Sequence, residues 1–216
     1  SGQAVTDSVL VLLKANWNQI KILEAGNKIT LQPGVIGADA NKALAPLNRK
    51  IGPDPASINT CKIGGIVANN ASGMCCGTAH NSYNTLAGIR VMLADGSVLD
   101  TRDTASVACF RQSHQSLLAK LETLGNSTKN NIQLAEKIQH KYRIKNTTGY
   151  SLNALIDYQD PIDILAHLMV GSEGTLGFIS EVTFDTVPEH PCRAVSLVLF
   201  QNMKQCCLAV TRSEEH

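Results

Sequence analysis

The stretch KIGGIVANNASGMCCG, residues 62 to 77, gathers four glycines, two alanines and two adjacent asparagines into one segment with no aromatic ring and no acid. Glycine costs about 1 kcal/mol relative to alanine inside a helix or strand. Such a concentration marks a place that another backbone or a ligand must approach closely. Ile63, Ile66 and Val67 are apolar enough to require burial, which puts the segment inside the molecule and not on a surface loop. For Gly64-Gly65 alone, tight packing of two elements explains the composition. The Asn69-Asn70 pair and Ser72-Gly73 add amides and a hydroxyl beside bare backbone N–H groups, a set suited to the carbonyls and phosphates of a bound cofactor.

The chain of 216 residues is long enough for one substantial core or two lobes. Nineteen Lys+Arg against eighteen Asp+Glu leave a formal charge of +1, which supplies no field of the kind that gathers nucleic acid. No apolar run reaches the ~18 residues of a membrane span, and SVLVLL (8 to 13) is too short for a signal-peptide core. A soluble, cytoplasmic protein is the expectation. The seven cysteines are an odd number without C-x-x-C or His/Cys metal spacing, so no metal site is expected and free thiols in a reducing compartment are. Nothing near the six histidines forms a recognisable nucleophile triad.

KILEAGNKITLQPGV (21 to 35) reads as two short strands turning at Ala25-Gly26-Asn27, and GADANKALAPLNR (37 to 49) as a helix up to Pro46. NTLAGIRVMLADGSVLDT (84 to 101) is a hairpin, with Ile89, Val91 and Leu93 alternating and Asp95-Gly96 at the turn. From Ser113 to Arg143 the period becomes helical, with a break expected at Gly125-Asn126. Asp160-Pro161 opens a short helix through Met169. GSEGTLGFISEVTF (171 to 184) is a glycine-rich turn running into an alternating strand. AVSLVLF (194 to 200) reads as another strand, and the residues after it as the start of a helix. Strands and helices mix without regular βαβ alternation, which favours an α+β fold.

GSEGTLG precedes a strand and does not open a helix, so neither a dinucleotide-fold fingerprint nor a Walker loop is supported. What remains is a cofactor site assembled from several separated turns. SGQAV at the start, PDPAS (53 to 57), KIGGIVANNASGMCCGT (62 to 78), LADGSVLDT, KYRIKNTTGYSLNALID (141 to 157) and GSEGTLGFISEVTF together resemble the flavin-binding domain of the FAD-linked oxidases of the vanillyl-alcohol-oxidase type. Within that group they are most similar to bacterial D-2-hydroxyacid dehydrogenases whose flavin half is fused to an iron–sulfur half. The likeness covers nearly the whole chain.

The resemblance implies a role for each of several residues. Pro53 and Ser57 would line the pyrophosphate and ribityl region, and Gly64-Gly65 would let the backbone meet the isoalloxazine side. Asn69, Ser72 and Gly73 would hydrogen-bond the cofactor, and Thr78 would close that loop. Glu173, Gly174 and the backbone of Ile179 would sit toward the adenosine end. A family segment of the form G-G-T-S-L wraps the pyrophosphate, and Ser1-Gly2 resemble its last residues. On that likeness the loop is missing and FAD affinity is weakened or lost. Residues 1–190 would be the FAD-binding domain, lacking its N-terminal part, and 191–216 the start of a truncated substrate domain. The iron–sulfur half, the catalytic base and the substrate-orienting groups would lie outside the chain, so no catalytic residue is assigned.

The implied activity is oxidation of a D-2-hydroxyacid, D-lactate or D-2-hydroxyglutarate, by hydride transfer to flavin N5, with electrons leaving through iron–sulfur centres to an acceptor. Two alternatives stand beside it: a flavin-dependent reductase on the same scaffold, and a non-catalytic module whose small residues only permit packing. Lys145 and Tyr150 either face the flavin or are, respectively, solvated and packed at a helix start. His80 is expected on a surface loop, His167 as a satisfied core side chain and Asp54 at a turn. Trp17 receives no function.

Overall fold

The computed structural model describes residues 12–13, 15–73, 76–192 and 196–213. Ser1, Gly2, Cys75 and most of SVLVLL lie outside them.

Six antiparallel strands form one sheet: β1 (Ile20–Leu23), β2 (Lys28–Leu31), β3 (Arg49–Ile51), β4 (Leu86–Met92), β5 (Val98–Asp100) and β6 (Phe178–Pro188). The order is β1-β2-β6-β4-β5, and β3 pairs with the far end of β6. The last strand in sequence is thus the central one, opposing β2 through Val182↔Leu31, β4 through Ile179↔Val91 and β3 through Thr186↔Ile51. Its inward side chains Val182 and Phe184 join Ile29, Leu31, Ile89, Val91 and Leu99 in the core. Both predicted strand pairs, 21–35 and 84–101, form, because each is a local hairpin.

Helices cover this core. They are α1 (Gly37–Leu44), α2 (Ile63–Ala68), α3 (Thr104–Ser113), α4 (Gln115–Asn130), α5 (Ile132–Lys141), α6 (Ala154–Asp157) and α7 (Pro161–Met169), whereas α8 (Met203–Ser213) contributes no described side chain to it. The bounds of α7 follow the sequence signal: Asp160 Oδ1 accepts from Ile162 N at 2.8 Å and Pro161 takes the first helical position.

Two expectations are corrected. The helix does not break at Gly125-Asn126; α4 runs on to Asn130, and Asn131 caps α5 by accepting from Leu134 N. Gly125 is buried where a Cβ would stand 3.2 Å from Ile164 Cδ1, so it serves the packing of α4 on α7. The strand expected over 194–200 is not formed over 196–200. That segment pairs with no edge, and Leu197 and Leu199 are 89% and 85% exposed. β-propensity without a neighbouring strand does not make a strand. Residues 193–195 lie outside the described residues.

Candidate functional site

The small-residue stretch folds as the short helix α2 and the turn that follows it. Its entry is fixed by two bonds, from Ile63 N to Val35 O at 2.8 Å and from Gly64 N to Pro33 O at 3.0 Å. A Cβ on Gly64 would lie 2.8 Å from Pro33 Cβ, so this glycine permits the approach of the 33–35 backbone. The exit is a Schellman motif: Ala71 N donates to Ile66 O at 2.8 Å and Asn70 N to Val67 O at 3.0 Å, with Asn70 left-handed at φ 47°. The two adjacent asparagines therefore do different work. Asn70 is a buried cap whose Oδ1 accepts from Tyr83 N at 3.1 Å. Asn69 faces a cleft.

The glycine-rich turn before β6 completes this helix end from a hundred residues away. Gly171 N donates to Val67 O at 3.0 Å and Glu173 N to Ala68 O at 2.9 Å, satisfying carbonyls that a helix terminus leaves open. Asn69 Nδ2 donates to Glu173 Oε1 at 2.6 Å.

Beside α2 lies a cleft of about 760 Å³. Of the residues anticipated from sequence, Ser57, Gly64, Gly65, Asn69 and Ser72 line it, and Lys145 joins them from a distant segment. Pro33, Pro55, Thr60, Cys61, Lys62 and Thr147 line it as well. The sequence reading missed Lys62 and Thr147, although the first directly precedes α2 and the second lies two residues beyond Lys145. The lining holds two lysines and no carboxylate. Lys62 Nζ donates to Leu13 O. Ser72 is 5% exposed, and its Oγ meets no hydrogen-bond partner among the described residues. A buried hydroxyl with nothing to bond is rare and costly, and this one sits on the cleft.

The other anticipated residues lie elsewhere. Pro53 is buried and outside the lining. Gly73 is held against Asp54, where a Cβ would fall 1.7 Å from the Asp54 carbonyl oxygen, so its smallness serves packing. The Thr78 carbonyl accepts from Asn84 Nδ2 at 2.7 Å on a small neighbouring cavity. Gly174 is exposed at φ 78°, and Ile179 is inside the sheet. Tyr150 is outside the lining, with its hydroxyl 2.8 Å from Thr175 Oγ1. His80 is exposed on a turn, and Trp17 packs edge-on to Phe178 at 5.3 Å. His167 is buried: its Nδ1–H donates to Asp163 O at 2.8 Å, and burial pushes its pKa down, leaving it a neutral core side chain.

Residues 1–102 match the family described as FAD binding domain. Over 202 residues the chain is 28% identical to the glycolate oxidase subunit GlcD of Escherichia coli K12, covering 93% of this chain and 30% of that protein. It is 26% identical over 207 residues to a D-2-hydroxyglutarate dehydrogenase of Pantoea ananatis, covering 90% of this chain and 19% of that one. Among solved structures, an alkyldihydroxyacetonephosphate synthase superposes with a TM-score of 0.45 at 18% identity, over 80% of this chain and 22% of its own. The chain thus spans less than a third of these proteins. No helix among the described residues is long and apolar enough to cross a membrane. The match takes in the 57–72 segment of the cleft lining, so this part of the chain is similar to an FAD binding domain.

Proposed function

We propose that the cleft beside α2 holds FAD and that the chain is the flavin-binding part of a dehydrogenase acting on a small D-2-hydroxyacid. The observation that carries this reading is Ser72 Oγ, buried and unpartnered on a cleft whose size suits a large organic ligand. The rest of the lining fits the group. Gly64 and Gly65 offer backbone without side chains, Lys62 and Lys145 bring positive charge toward a diphosphate, and no carboxylate opposes it. Ser57, Asn69 and Ser72 are the side chains assigned to hydrogen-bond the cofactor.

When bound, FAD supplies the two-electron acceptor for conversion of a hydroxyacid to an oxoacid. This chain's part is to bind, orient and desolvate it. The names of the similar proteins favour glycolate, D-2-hydroxyglutarate or a relative as substrate. The groups that would orient it and take its hydroxyl proton belong to segments beyond the FAD binding domain. Residues 191–216 are read as the start of such a segment, because Leu197, Leu199 and Met203 stand exposed and apolar with no core of their own. A nicotinamide-linked reductase would use the same cleft and is the weaker reading, since the similar proteins cited are named for hydroxyacids.

Titration of the chain with FAD, FMN and riboflavin, followed by flavin fluorescence, tests the reading. FAD is expected to bind more tightly than FMN, and FMN more tightly than riboflavin, each step reporting phosphate and adenosine contacts. Equal or absent binding of all three by the folded chain would leave the small residues as packing alone.

A further inference from the structure

Asn69 ends α2 on the cleft, and its amide can present either an acceptor or two donors to a ligand. Glu173 decides which. A carboxylate only accepts, so the Asn69 atom 2.6 Å from Glu173 Oε1 is Nδ2, and Oδ1 is turned the other way. Glu173 itself is not among the residues lining the cleft. Its backbone is pinned by the bond to Ala68 O and adopts φ 51°, a left-handed conformation that costs a non-glycine residue about 1–2 kcal/mol. Gly171 at φ 87° and Gly174 at φ 78° bracket it, so the turn is bent to bring this side chain to the helix end. Strain of this kind persists where the surroundings over-determine it, and it concentrates at functional sites.

We propose that Glu173 is a positioning residue for the cofactor. It holds the Asn69 amide so that the oxygen, an acceptor, is offered to an N–H or O–H group of the flavin and not to a phosphate or carbonyl oxygen. This rests on the reading that the cleft binds FAD, and it gives Glu173, expected toward the adenosine end, a role that passes through Asn69. The consequence is selectivity: an unheld asparagine could turn its whole NH2 to an acceptor, whereas this one keeps its oxygen turned away from Glu173 and so favours a donor.

A double-mutant cycle tests it. FAD is titrated into the wild-type chain and into Glu173→Ala, Glu173→Gln, Asn69→Ala and the Asn69→Ala/Glu173→Ala pair, with a thermal melt of each free protein. Glu173→Ala is expected to weaken FAD binding about ten-fold, the scale of one charge-assisted hydrogen bond. Glu173→Gln should restore most of the affinity, because its carbonyl accepts from the same Nδ2. In the Asn69→Ala background Glu173→Ala should change affinity less than about two-fold, since its effect passes through the missing amide. The Asn69 side-chain amide resonances of the free protein should move in Glu173→Ala and stay near their wild-type position in Glu173→Gln.

Equal loss in both backgrounds would make Glu173 a direct contact and overturn the inference. So would a lowered melting temperature with unchanged affinity, which would make the turn a structural strap only. A folded wild-type chain that ignores FAD would overturn the proposed function and this inference with it, an outcome distinct from both.

Discussion

Two polar clusters of this molecule are settled in opposite ways. Around α7, Tyr83 donates its hydroxyl to Asp157 Oδ2 at 2.8 Å, His167 stacks on Tyr158 at 4.0 Å and Asn153 Nδ2 reaches Asp157 at 3.0 Å. Burial, followed by Asp157, pushes the Tyr83 hydroxyl well above its ordinary range. The atom left open there, Asn153 Oδ1, borders a cavity of about 20 Å³, room for one water. Beside α2, Ser72 Oγ is equally unpaired, and Ser72 lines a cleft of about 760 Å³. An unsatisfied atom is informative through the space that faces it. The first cluster is bonded largely within itself; the second lies on the wall of the cleft proposed to hold FAD.

Substitutions in the two regions should separate accordingly. The largest effect is expected for Gly73→Val behind the cleft, because a Cβ would meet the Asp54 carbonyl at 1.7 Å. A loss of about 3 kcal/mol or more should appear in a urea titration. Tyr83→Phe should cost about 1 kcal/mol by removing its bond to Asp157, with the FAD affinity of the chain unaltered. A change in affinity there would break the separation between the clusters. Ser72→Ala should do the reverse, weakening FAD binding about five-fold while the free chain becomes as stable as the wild type or about 1 kcal/mol more so, since only an unpaired hydroxyl is removed.

The smallest effect is one of pH. Because burial lowers the His167 pKa, the unfolded chain takes up the proton first as pH falls below about 6.5. Its contribution to stability is therefore complete above that value and is lost toward the folded-state pKa. The melting temperature should fall over that window, and His167→Phe should flatten the fall.

What could be read from the sequence was local. The Asp160-Pro161 start of α7, the hairpin turn at Asp95-Gly96 and the turn between β1 and β2 each depend on residues within a few positions of one another. The misreadings were matters of context. Gly125 looked like a break because its partner, Ile164, comes from another helix, and residues 196–200 looked like a strand because apolar composition carries no information about a missing edge. The local start signal of α3, Asp103 accepting from Ala105 N, was present and overlooked.

The candidate site divides the same way. Five anticipated residues come from 57–72, where the chain is nearly continuous through the cleft wall. Lys145 and Thr147 reach it only through the tertiary fold. The asparagine pair was legible as polar and unusual, but nothing in the letters separates a cap at Asn70 from a cleft residue at Asn69. The bond from Asn69 to Glu173 spans 104 positions and needed the structure.

The most direct measurement is a parallel FAD titration of the wild-type chain and Ser72→Ala, followed by flavin fluorescence, with thermal melts of both proteins free of ligand. Binding by the wild type, weakened binding by the variant and a melting temperature no lower in the variant are expected if the unpaired hydroxyl faces the cofactor. Equal affinity in both, or a folded wild type that does not bind, would contradict the assignment of the cleft to FAD.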